Sequence, residues 1–409
     1  MAELMRGHYD ILIAGGGITG LTLACVLKDA GLKIGVIERQ PPQPHEIEYA
    51  LRVSAINRAS LRTFIAVGAF DQMASLRVSP FRDMHVWDAT GVGQIHFDSA
   101  ELGLDALGYI IENRVVQHAL LDVLQRSDNL HWLCPAEIAS IELAAGCSRI
   151  GLSDGAELST ALVVGADGAA SAVRTAAGIE LARNSYQQQA IVCTVGTEVG
   201  HAETAWQCFR PSGPLAFLPL ADGRCSIVWS LDEDKIESML ALDDAAFSVA
   251  LEQAFEYRLG AVTSVSGRAV FPLGHGHVDN YIRPGVALIG DAAHQIHPLA
   301  GQGANLGIMD AACLAQVIVQ AKVAGRDWSA THTLRKYERW RKGENRLMEN
   351  AMTVFKTLFG SNDPLFTAVR NTGLGIADHL GPLKYTFMRH AMGLSGDLPE
   401  IAQAVGWQD

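Results

Sequence analysis

A glycine-rich turn near the start of the chain is the feature whose residue types point most directly to a chemistry. Gly15, Gly17 and Gly20 form a GxGxxG pattern, and Glu38 ends the following strand pattern. In such a turn the first glycine permits the bend, the second lets a pyrophosphate reach the backbone, and the third allows close helix–strand packing. The helix N-terminus attracts phosphate, and the acid accepts hydrogen bonds from a ribose. The pattern therefore predicts a bound dinucleotide.

A second fingerprint of this kind is missing from the sequence. Gly91-Val92-Gly93 and Gly274-His275-Gly276 are followed neither by a third glycine at the right spacing nor by a helical pattern. A protein with separate Rossmann folds for two dinucleotides would show two fingerprints. We therefore expect one permanently bound dinucleotide, with any second one docking transiently.

Two further polar turns follow predicted buried strands. Asp291 comes directly after one of them, where a carboxylate can bind the hydroxyls of a polyol. The turn from Gly301 to Gly303 opens a helix, whose N–H groups and positive dipole end suit a developing anion. A flavin ring gains negative charge on reduction, so this turn favours a flavin. Asp167-Gly168, taken alone, indicates only an Asp-Gly turn.

The elements that must position these residues begin with a βαβ unit. Tyr9–Ala14 is predicted to be a buried strand, Ile18–Ala30 a helix and Lys33–Ile37 a second strand. Further on, an amphipathic helix is predicted over Arg114–Leu124 and a strand over Leu158–Ala166.

The middle of the chain has a different pattern. Between Gln187 and Leu231, short β-rich segments separated by Gly, Pro or Asp indicate an antiparallel sheet inserted into the α/β framework. Four aromatic residues there are predicted either to line a substrate pocket or to form sheet core, namely Trp206, Phe209, Phe217 and Trp229. A buried strand returns at Val286–Gly290, a long helix is predicted over Asn305–Ala324, and the chain after Thr331 is predicted to be mainly helical.

The composition describes a folded, acidic protein. Hydrophobic residues make up 49% of the 409 residues and charged residues 19%, which excludes a disordered chain or a coiled coil. This length predicts more than one structural unit. The net charge of −12 argues against a nucleic-acid partner, because phosphate backbones repel an acidic surface.

The cysteines and the N-terminus indicate a cytoplasmic protein. The seven cysteines are odd in number and never spaced as CxxC, so reduced thiols are expected rather than disulfides or a zinc site. His275 and His277 form an HxH pair without further ligands nearby, so no metal is expected. No signal peptide pattern and no stretch of 18 uninterrupted apolar residues is found, so we expect no membrane-spanning helix.

Several motifs, taken in order along nearly the whole chain, resemble those of a known enzyme family. The runs that carry the resemblance are LRVSAIN (51–57), IIENRVVQHAL (110–120), FLPL (217–220), HPLAGQGANLGIMD (297–310) and YERWRKGEN (337–345). With the GxGxxG and Asp-Gly motifs, they resemble the FAD-dependent ubiquinone-biosynthesis hydroxylases of the p-hydroxybenzoate hydroxylase fold. Within that family the overall pattern is most similar to the bacterial 2-polyprenylphenol 6-hydroxylases.

The resemblance implies a role for each matching position. Residues implied to hold the ADP half of FAD are Gly15, Gly17, Gly20 and Glu38. Those implied to reach the flavin or the pyrophosphate are Arg52 and Arg114. Those implied to support the GxGxxG fingerprint, in a motif that the family links to both FAD and NAD(P)H, are Asp167 and Gly168. Those implied to bind the ribitol or line the isoalloxazine are Asp291, Pro298, Gly301, Gln302, Gly303, Ala304 and Asn305. No motif identifies a catalytic base.

The fold implied is an α/β one: a Rossmann-like FAD-binding domain, an inserted antiparallel β-sheet substrate domain and a C-terminal helical region. The FAD-binding domain is expected to be discontinuous, over residues 1–74, 101–184 and 272–330. The substrate domain is expected over 75–100 and 185–271, and the C-terminal helical region over 331–409.

The reaction implied is hydroxylation, at C5, of the aromatic ring of a polyprenylphenol in ubiquinone biosynthesis. NAD(P)H would reduce FAD, O₂ would add to form a flavin C4a-hydroperoxide, and its terminal OH would pass to the ring. One alternative is a sibling hydroxylase acting on a polyprenyl-methoxyphenol or demethoxyubiquinol. Others are a flavin-dependent isoprenoid or quinone reductase and a non-catalytic lipid-binding scaffold. The motifs hold the shared cofactor, so they do not separate the two hydroxylases.

The C-terminal region differs in charge from the rest. From Arg335 onward the net charge is +2, against −14 before it. A broad apolar helix face is predicted from Leu347, Met348, Ala351, Met352, Phe355, Leu358 and Phe359. It is expected either to pack against the FAD-binding domain or to meet the inner membrane surface or a partner from ubiquinone biosynthesis. In the second case, deletion after about Thr331 should impair access of the lipid substrate more than FAD binding.

Overall fold

A computed structural model describes residues 6–44, 46, 48–295, 303–360, 385, 389 and 392–403, and the side chains of 6, 183–186 and 349–360 lie outside this description. The α-helices within the described residues are α1 Ile18–Val26, α2 Arg58–Val67, α3 Phe70–Leu76, α4 Asn113–Gln125, α5 Ala172–Ala176, α6 Glu233–Leu240, α7 Asp244–Ala254, α8 Gly303–Val323 and α9 Thr331–Gly360.

The strands alternate with these helices in the first part of the chain and follow one another in the middle. The first ten are β1 Arg6–Ala14, β2 Ile34–Ile37, β3 Val53–Asn57, β4 Ser79–Phe81, β5 Asp83–Asp88, β6 Gln94–Asp98, β7 Gly108–Glu112, β8 Leu130–Leu133, β9 Ile138–Glu142 and β10 Ser148–Leu152. The others are β11 Glu157–Gly165, β12 Leu181–Thr197, β13 Thr204–Phe209, β14 Leu215–Pro219, β15 Cys225–Asp232, β16 Val262–Val265, β17 Ala269–Val278, β18 Ile282–Arg283, β19 Val286–Leu288 and β20 His294–Gln295.

The first sheet has a parallel centre. Its strands lie in the order β18-β19-β11-β1-β2-β8, with β9 and β10 extending from β11, and β1 pairs in parallel with both β2 and β11. The core strand Ile11–Ala14 is fully buried, as expected where helices cover both faces of a parallel sheet. Strand order reverses at β1. The carboxyl ends of β1, β2, β11 and β19 meet at one edge, where open α/β sheets bind their ligands.

The second sheet is mainly antiparallel, in the order β20-β17-β12-β15-β14-β13-β5-β6, with β16 on β12. Helices α6 and α7 cover one face, through Ile236, Phe247 and Leu251. A small sheet, β3-β7-β4, supplies apolar side chains that pack against the other face. The α/β fold with a second, antiparallel sheet is thus confirmed.

The predicted βαβ unit is confirmed, with one correction to its helix. Helix α1 ends at Val26, four residues before the predicted end at Ala30. The chain then tightens, because the Leu27 N–H donates to both Leu23 O and Ala24 O, and turns at Gly31 with φ of +61°. Gly31 therefore ends the connection, while the helix itself ends in a tighter last turn.

The long helix α8 begins at Gly303, two residues before the predicted start at Asn305. By length and composition it could cross a membrane, with a mean hydropathy of 1.4 in its most apolar window, but 72% of that window is buried inside the fold. It packs between α1, α2 and α9 as a core helix.

Candidate functional site

The GxGxxG turn joins β1 to α1 and admits only glycine at two of its three marked positions. A Cβ on Gly15, where φ is +105°, would lie 2.3 Å from Ala166 O, and one on Gly20 would lie 2.1 Å from Gly15 O. A Cβ on Gly17 would meet no described atom within 4 Å, and Gly17 is the exposed N-cap of α1 without a side chain to cap it. The turn therefore packs tightly beneath and leaves open space above the N-terminus of α1. That space fits a pyrophosphate.

Glu38 lies at this turn, as its spacing predicts. Its Oε2 accepts a hydrogen bond from the Gly16 N–H at 2.7 Å and its Oε1 accepts one from the Gln40 N–H at 2.9 Å. A carboxylate oxygen accepts up to two hydrogen bonds, and the described residues supply one to each. The anchored carboxylate thus keeps acceptor capacity for ribose hydroxyls.

The two arginines proposed for the cofactor have different surroundings. Arg52 is exposed, and its guanidinium lies 5.6 Å from the ring centre of Phe271. Arg114 is buried and donates to Glu112 Oε1 at 3.0 Å and to the carbonyl of Glu48. Arg114 therefore has protein acceptors of its own, while Arg52 is exposed beside Phe271.

The Asp167-Gly168 turn lies against the fingerprint turn. Asp167 Oδ2 accepts from the N–H groups of Ala172 at 2.7 Å and Val173 at 3.2 Å, which caps α5. Its Oδ1 is buried and has no hydrogen-bond partner among the described residues. A buried acceptor left without a donor is unfavourable, so this oxygen suits a ligand or a water molecule.

Asp291 lies in the turn that follows the carboxyl end of β19. Its side chain is exposed, yet surrounding protein desolvates it and raises its pKa, against the opposing effects of His294 and Arg52. The charge of Arg52 lowers that pKa, so the two side chains face one region of the surface, which we call the cleft. The cleft brings together Asp291 and Arg52, two of the residues implied to hold FAD.

Helix α8 joins this cleft to the fingerprint. Its Gly307 approaches α1 so closely that a Cβ would lie 2.4 Å from Thr19 Oγ1. Asn305 is buried and ties the first turn of α8 to β3: its Oδ1 accepts from the Asn57 N–H at 3.1 Å and its Nδ2 donates to Ala55 O at 2.8 Å. Gly303 and Ala304 begin the helix beside it. The structure thus gives Asn305 a backbone-anchoring contact. The other residues proposed for this loop, Pro298, Gly301 and Gln302, lie outside the described residues.

A buried polar cluster next to Asp291 was not predicted. Asp310, fully buried in α8, accepts hydrogen bonds from the Gly290 N–H and from His294 Nε2. It also accepts from Arg341 Nε at 2.8 Å and Asn345 Nδ2 at 3.1 Å. Burial raises the pKa of Asp310, but the charges and hydrogen bonds of His294 and Arg341 outweigh it and hold that pKa well below its usual range. Asp310 is therefore a buried carboxylate.

Of the four aromatic residues singled out in the second sheet, Phe217 and Trp229 are sheet core, Trp206 packs against the same core while partly buried, and Phe209 is buried outside it. Phe217 stacks on Phe255 with ring centres 3.8 Å apart, and Trp229 packs 6.0 Å from Phe247, both on the face that α6 and α7 cover. Side chains alternate between the faces of a strand. The opposite face is mainly aliphatic, with Phe271 beside the aliphatic residues, and packs towards β3 and the segment before it. Its aliphatic residues include Ala190, Val192, Ala205, Ala216, Leu218, Val228 and Leu273. We call this face the aliphatic wall.

Comparison with known proteins gives a consistent result. The family model for the FAD binding domain matches residues 8–350. The 3-demethoxyubiquinol 3-hydroxylase of Escherichia coli (strain K12) is 36% identical over 387 residues, which cover 94% of this chain and 98% of that protein. Ubiquinone hydroxylase UbiL of Rhodospirillum rubrum is 37% identical over 400 residues, covering 97% of this chain and 93% of that protein. The human mitochondrial ubiquinone biosynthesis monooxygenase COQ6 is 35% identical over 436 residues, covering 94% and 92%.

Solved structures share the fold at lower identity. p-Nitrophenol 4-monooxygenase PnpA from Pseudomonas putida DLL-E4 superposes with a TM-score of 0.77 at 19% identity, covering 96% of this chain and 99% of that one. A variant of HpxO from Klebsiella pneumoniae, complexed with FAD, superposes with a TM-score of 0.73 at 20% identity, covering 94% and 98%.

The FAD binding domain and the similarity to hydroxylases define an FAD-dependent aromatic hydroxylase, a monooxygenase that uses NAD(P)H and O₂. Extensive similarity to the ubiquinone hydroxylases narrows the class. The chain belongs to the family of FAD-dependent hydroxylases of ubiquinone biosynthesis.

Proposed function

We propose that this protein hydroxylates the aromatic ring of a polyprenylphenol at C5 in ubiquinone biosynthesis. The observation that carries the proposal is identity of 35–37% to ubiquinone hydroxylases over almost the whole chain. The partly exposed end of the aliphatic wall, at Val228 and Phe271, supports it, because a prenylated ring needs an apolar surface. One O₂ and one NAD(P)H would be consumed per hydroxyl added, with the second oxygen atom leaving as water.

The residues of this chain act by binding and positioning. The open space above Gly17 takes the pyrophosphate, Glu38 the ribose of the ADP half, and Asp291 the ribitol hydroxyls, with Arg52 beside it. FAD, when bound and reduced, supplies the activation of O₂ that ring hydroxylation requires. The partly exposed end of the aliphatic wall, at Val228 and Phe271, orients the substrate and excludes water from the reacting ring.

We also propose that the two sheets divide the work, with boundaries as predicted from the sequence. Residues 1–74, 101–184 and 272–330 bind FAD, 75–100 and 185–271 bind substrate, and 331–409 form a C-terminal region. The position of β12 and β17 supports boundaries near 184 and 272, because these paired strands lead into and out of the second sheet.

A second candidate has a specific observation in its favour. The Escherichia coli relative is a 3-demethoxyubiquinol 3-hydroxylase, and its identity of 36% lies between the 35% and 37% of the other two relatives. Under this reading the same site would act on a later, methoxylated intermediate. The residues proposed to bind FAD and the residues of the aliphatic wall would have the same roles in both reactions. Only the product distinguishes the two candidate functions.

The test is to profile quinone intermediates by mass spectrometry in a strain lacking the protein. A polyprenylphenol without the first added ring hydroxyl is expected to accumulate. Accumulation of a demethoxyquinone would move the assignment to the second candidate. An unchanged quinone pool, in a strain without a redundant enzyme, would refute both.

A matching assay on the purified protein addresses the non-hydroxylase alternatives. It should bind one FAD per chain and add one oxygen atom to a polyprenylphenol, with O₂ uptake matching NAD(P)H oxidation. Reduction of a quinone without O₂ uptake would identify a reductase, and failure to bind FAD would identify a scaffold.

We propose that the outer face of α9 docks on an anionic membrane surface. Arg335, Lys336 and Arg339 are exposed there, and Leu347 is 56% exposed beyond them, in a protein of net charge −12. Most of the apolar face predicted after Leu347 lies outside the described side chains. The Leu347→Glu variant should co-sediment less with phosphatidylglycerol vesicles, while Leu240→Glu, on the distant α6, should behave as the parent. Equal vesicle binding by the parent protein and both variants would refute this docking.

A further inference from the structure

The turn that carries Asp291 is held at both ends by one buried carboxylate. Asp310 Oδ2 accepts from the Gly290 N–H at 3.0 Å and from His294 Nε2, so it contacts the residues on either side of Asp291. The Asp310 side chain has no exposed surface. The turn therefore cannot shift without breaking a hydrogen bond to a buried charge, which is among the stronger kinds.

Helix α9 neutralises that carboxylate from the other side. Arg341 Nε donates to Asp310 Oδ1 at 2.8 Å, and Arg341 Nη2 donates to Asn345 Oδ1 at 2.7 Å. Asn345 Nδ2 in turn donates a hydrogen bond to Asp310 Oδ1 at 3.1 Å. With Gly290 and His294, these contacts give Asp310 four donors, two on each oxygen. Its acceptor capacity is filled by protein.

A third contact fixes the strand that leads into the turn. Tyr337, one helical turn before Arg341, donates from its hydroxyl to Leu288 O at 2.8 Å. Tyr337, Arg341 and Asn345 are spaced by four residues and all buried, so they form one polar stripe along α9.

We infer that Asp310 and Arg341 are positioning residues: through them the polar stripe of α9 sets the position of the Asp291 carboxylate for the ribitol of FAD. The inference rests on the ribitol-binding role proposed for Asp291. A buried ion pair adds little net stability compared with apolar residues of the same volume. Its definite geometry instead fixes the 290–294 turn, which contributes an exposed acid to the cleft.

The test measures FAD affinity and stability separately in the full chain. The variants are Asp291→Ala, Asp310→Asn, Arg341→Lys and the double variant Asp291→Ala/Asp310→Asn. The control is Leu334→Ala, since Leu334 is fully buried on the same helix and its apolar side chain takes no part in the hydrogen bonds of Asp310. For each, the Kd for FAD comes from titration of the flavin-free protein, and the Tm of that protein reports stability.

Asp310→Asn should raise the Kd for FAD by roughly 10- to 100-fold, because it disturbs hydrogen bonds to a charged group that orients a ligand-binding acid. Arg341→Lys keeps the positive charge but loses the Nε–H donor, and should raise the Kd for FAD less than Asp310→Asn does. Should Asp310→Asn fail to fold, Arg341→Lys carries the test. Leu334→Ala should lower Tm with the Kd unchanged.

The double variant decides whether Asp310 acts through Asp291. We expect its Kd to equal that of Asp291→Ala, because the position of a removed carboxylate no longer matters. Additive effects would overturn the inference, as would parental FAD affinity in Asp310→Asn beside weak affinity in Asp291→Ala. Parental affinity in Asp291→Ala itself would instead refute the ribitol role on which the inference rests.

Discussion

Replacing Gly17 by alanine should separate FAD binding from protein stability. Gly17 has φ of −75° and ψ of −178°, which any residue adopts, and an added Cβ would meet no described atom within 4 Å. Alanine is a poorer N-cap than glycine, which destabilises the folded protein by up to about 1 kcal/mol. Alanine also lowers the conformational entropy of the unfolded chain, which stabilises the folded protein by about 0.4–1 kcal/mol. The two effects oppose each other. The free energy of unfolding of the flavin-free protein should therefore change by less than about 1 kcal/mol.

The effect of Gly17→Ala on FAD should be much larger. The methyl group would occupy the space proposed for the pyrophosphate and lengthen at least one hydrogen bond to it. A hydrogen bond to a charged group contributes about 1.5–3 kcal/mol, so the Kd for FAD should rise roughly 10- to 100-fold. Titration of the flavin-free protein with FAD, beside its thermal unfolding curve, measures both quantities.

Gly20→Ala is the matched comparison in the same turn. Its Cβ would lie 2.1 Å from Gly15 O, a backbone atom that cannot move without moving the turn. Gly20→Ala should therefore lower both the Tm and the FAD affinity. The reasoning is refuted if Gly17→Ala binds FAD as tightly as the parent, or if it destabilises the flavin-free protein as much as Gly20→Ala does.

Three smaller predictions use other parts of the molecule. Tyr337→Phe should lower the free energy of unfolding by about 1–3 kcal/mol in denaturant titrations, because the buried carbonyl of Leu288 loses its donor; an unchanged midpoint would contradict this. Burial, with the nearby His294 charge, lowers the pKa of His277 to about 4. The folded protein therefore binds fewer protons than the unfolded chain between pH 6.5 and 4, stability should fall as pH falls through that range, and His277→Gln should reduce the fall. Native protein should react with a thiol reagent first at exposed Cys147, since burial raises the pKa of Cys25 to about 12; Cys147→Ser should remove the fastest phase.

The fingerprint turn was predictable because its requirements are local. The tight position of Gly20 is set by Gly15, five residues away, and Glu38 reaches Gly16 across one strand pair. Spacing along the chain therefore contains most of the geometry. The same holds for the predicted strands and for α4, whose period identifies the buried face.

The polar cluster around Asp310 depends on distant parts of the chain, so spacing could not reveal it. One signal was present, however. Asp310 is the first charged residue in the otherwise apolar sequence of α8, and a charge on a buried helix needs a partner. The partner itself was not identifiable, because Arg341 is one of several basic residues in the first half of α9.

The sequence also could not predict which layer the aromatic residues of the second sheet pack against. Both faces of that sheet are covered, one by α6 and α7 and the other by β3 and its neighbours. Alternation shows which residues share a face, but not which face meets which layer. Phe217 and Trp229 therefore remained undecided until their helix partners were known.

The contact between α9 and Asp310 changes how a deletion of the C-terminal region should be read. Removing the chain after Thr331 would also remove Arg341 and Asn345, and leave Asp310 as a buried charge with fewer donors. Loss of FAD is then expected, contrary to the expectation from the sequence. Point variants on the outer face of α9 are the better test of docking.

The same contact determines when, during synthesis of the chain, the flavin cleft can be completed. The flavin cleft takes Gly17 from the first strand–helix unit, Asp291 from late in the chain, and the support of Asp310 from Arg341 later still. A nascent chain can complete the fingerprint turn early but lacks the full cleft until α9 has left the ribosome. Such long-range closure makes folding slow and leaves partly folded chains exposed for longer. FAD should therefore bind only at the end of translation. In cells short of flavin, the full-length chain should remain without FAD and be degraded by proteases.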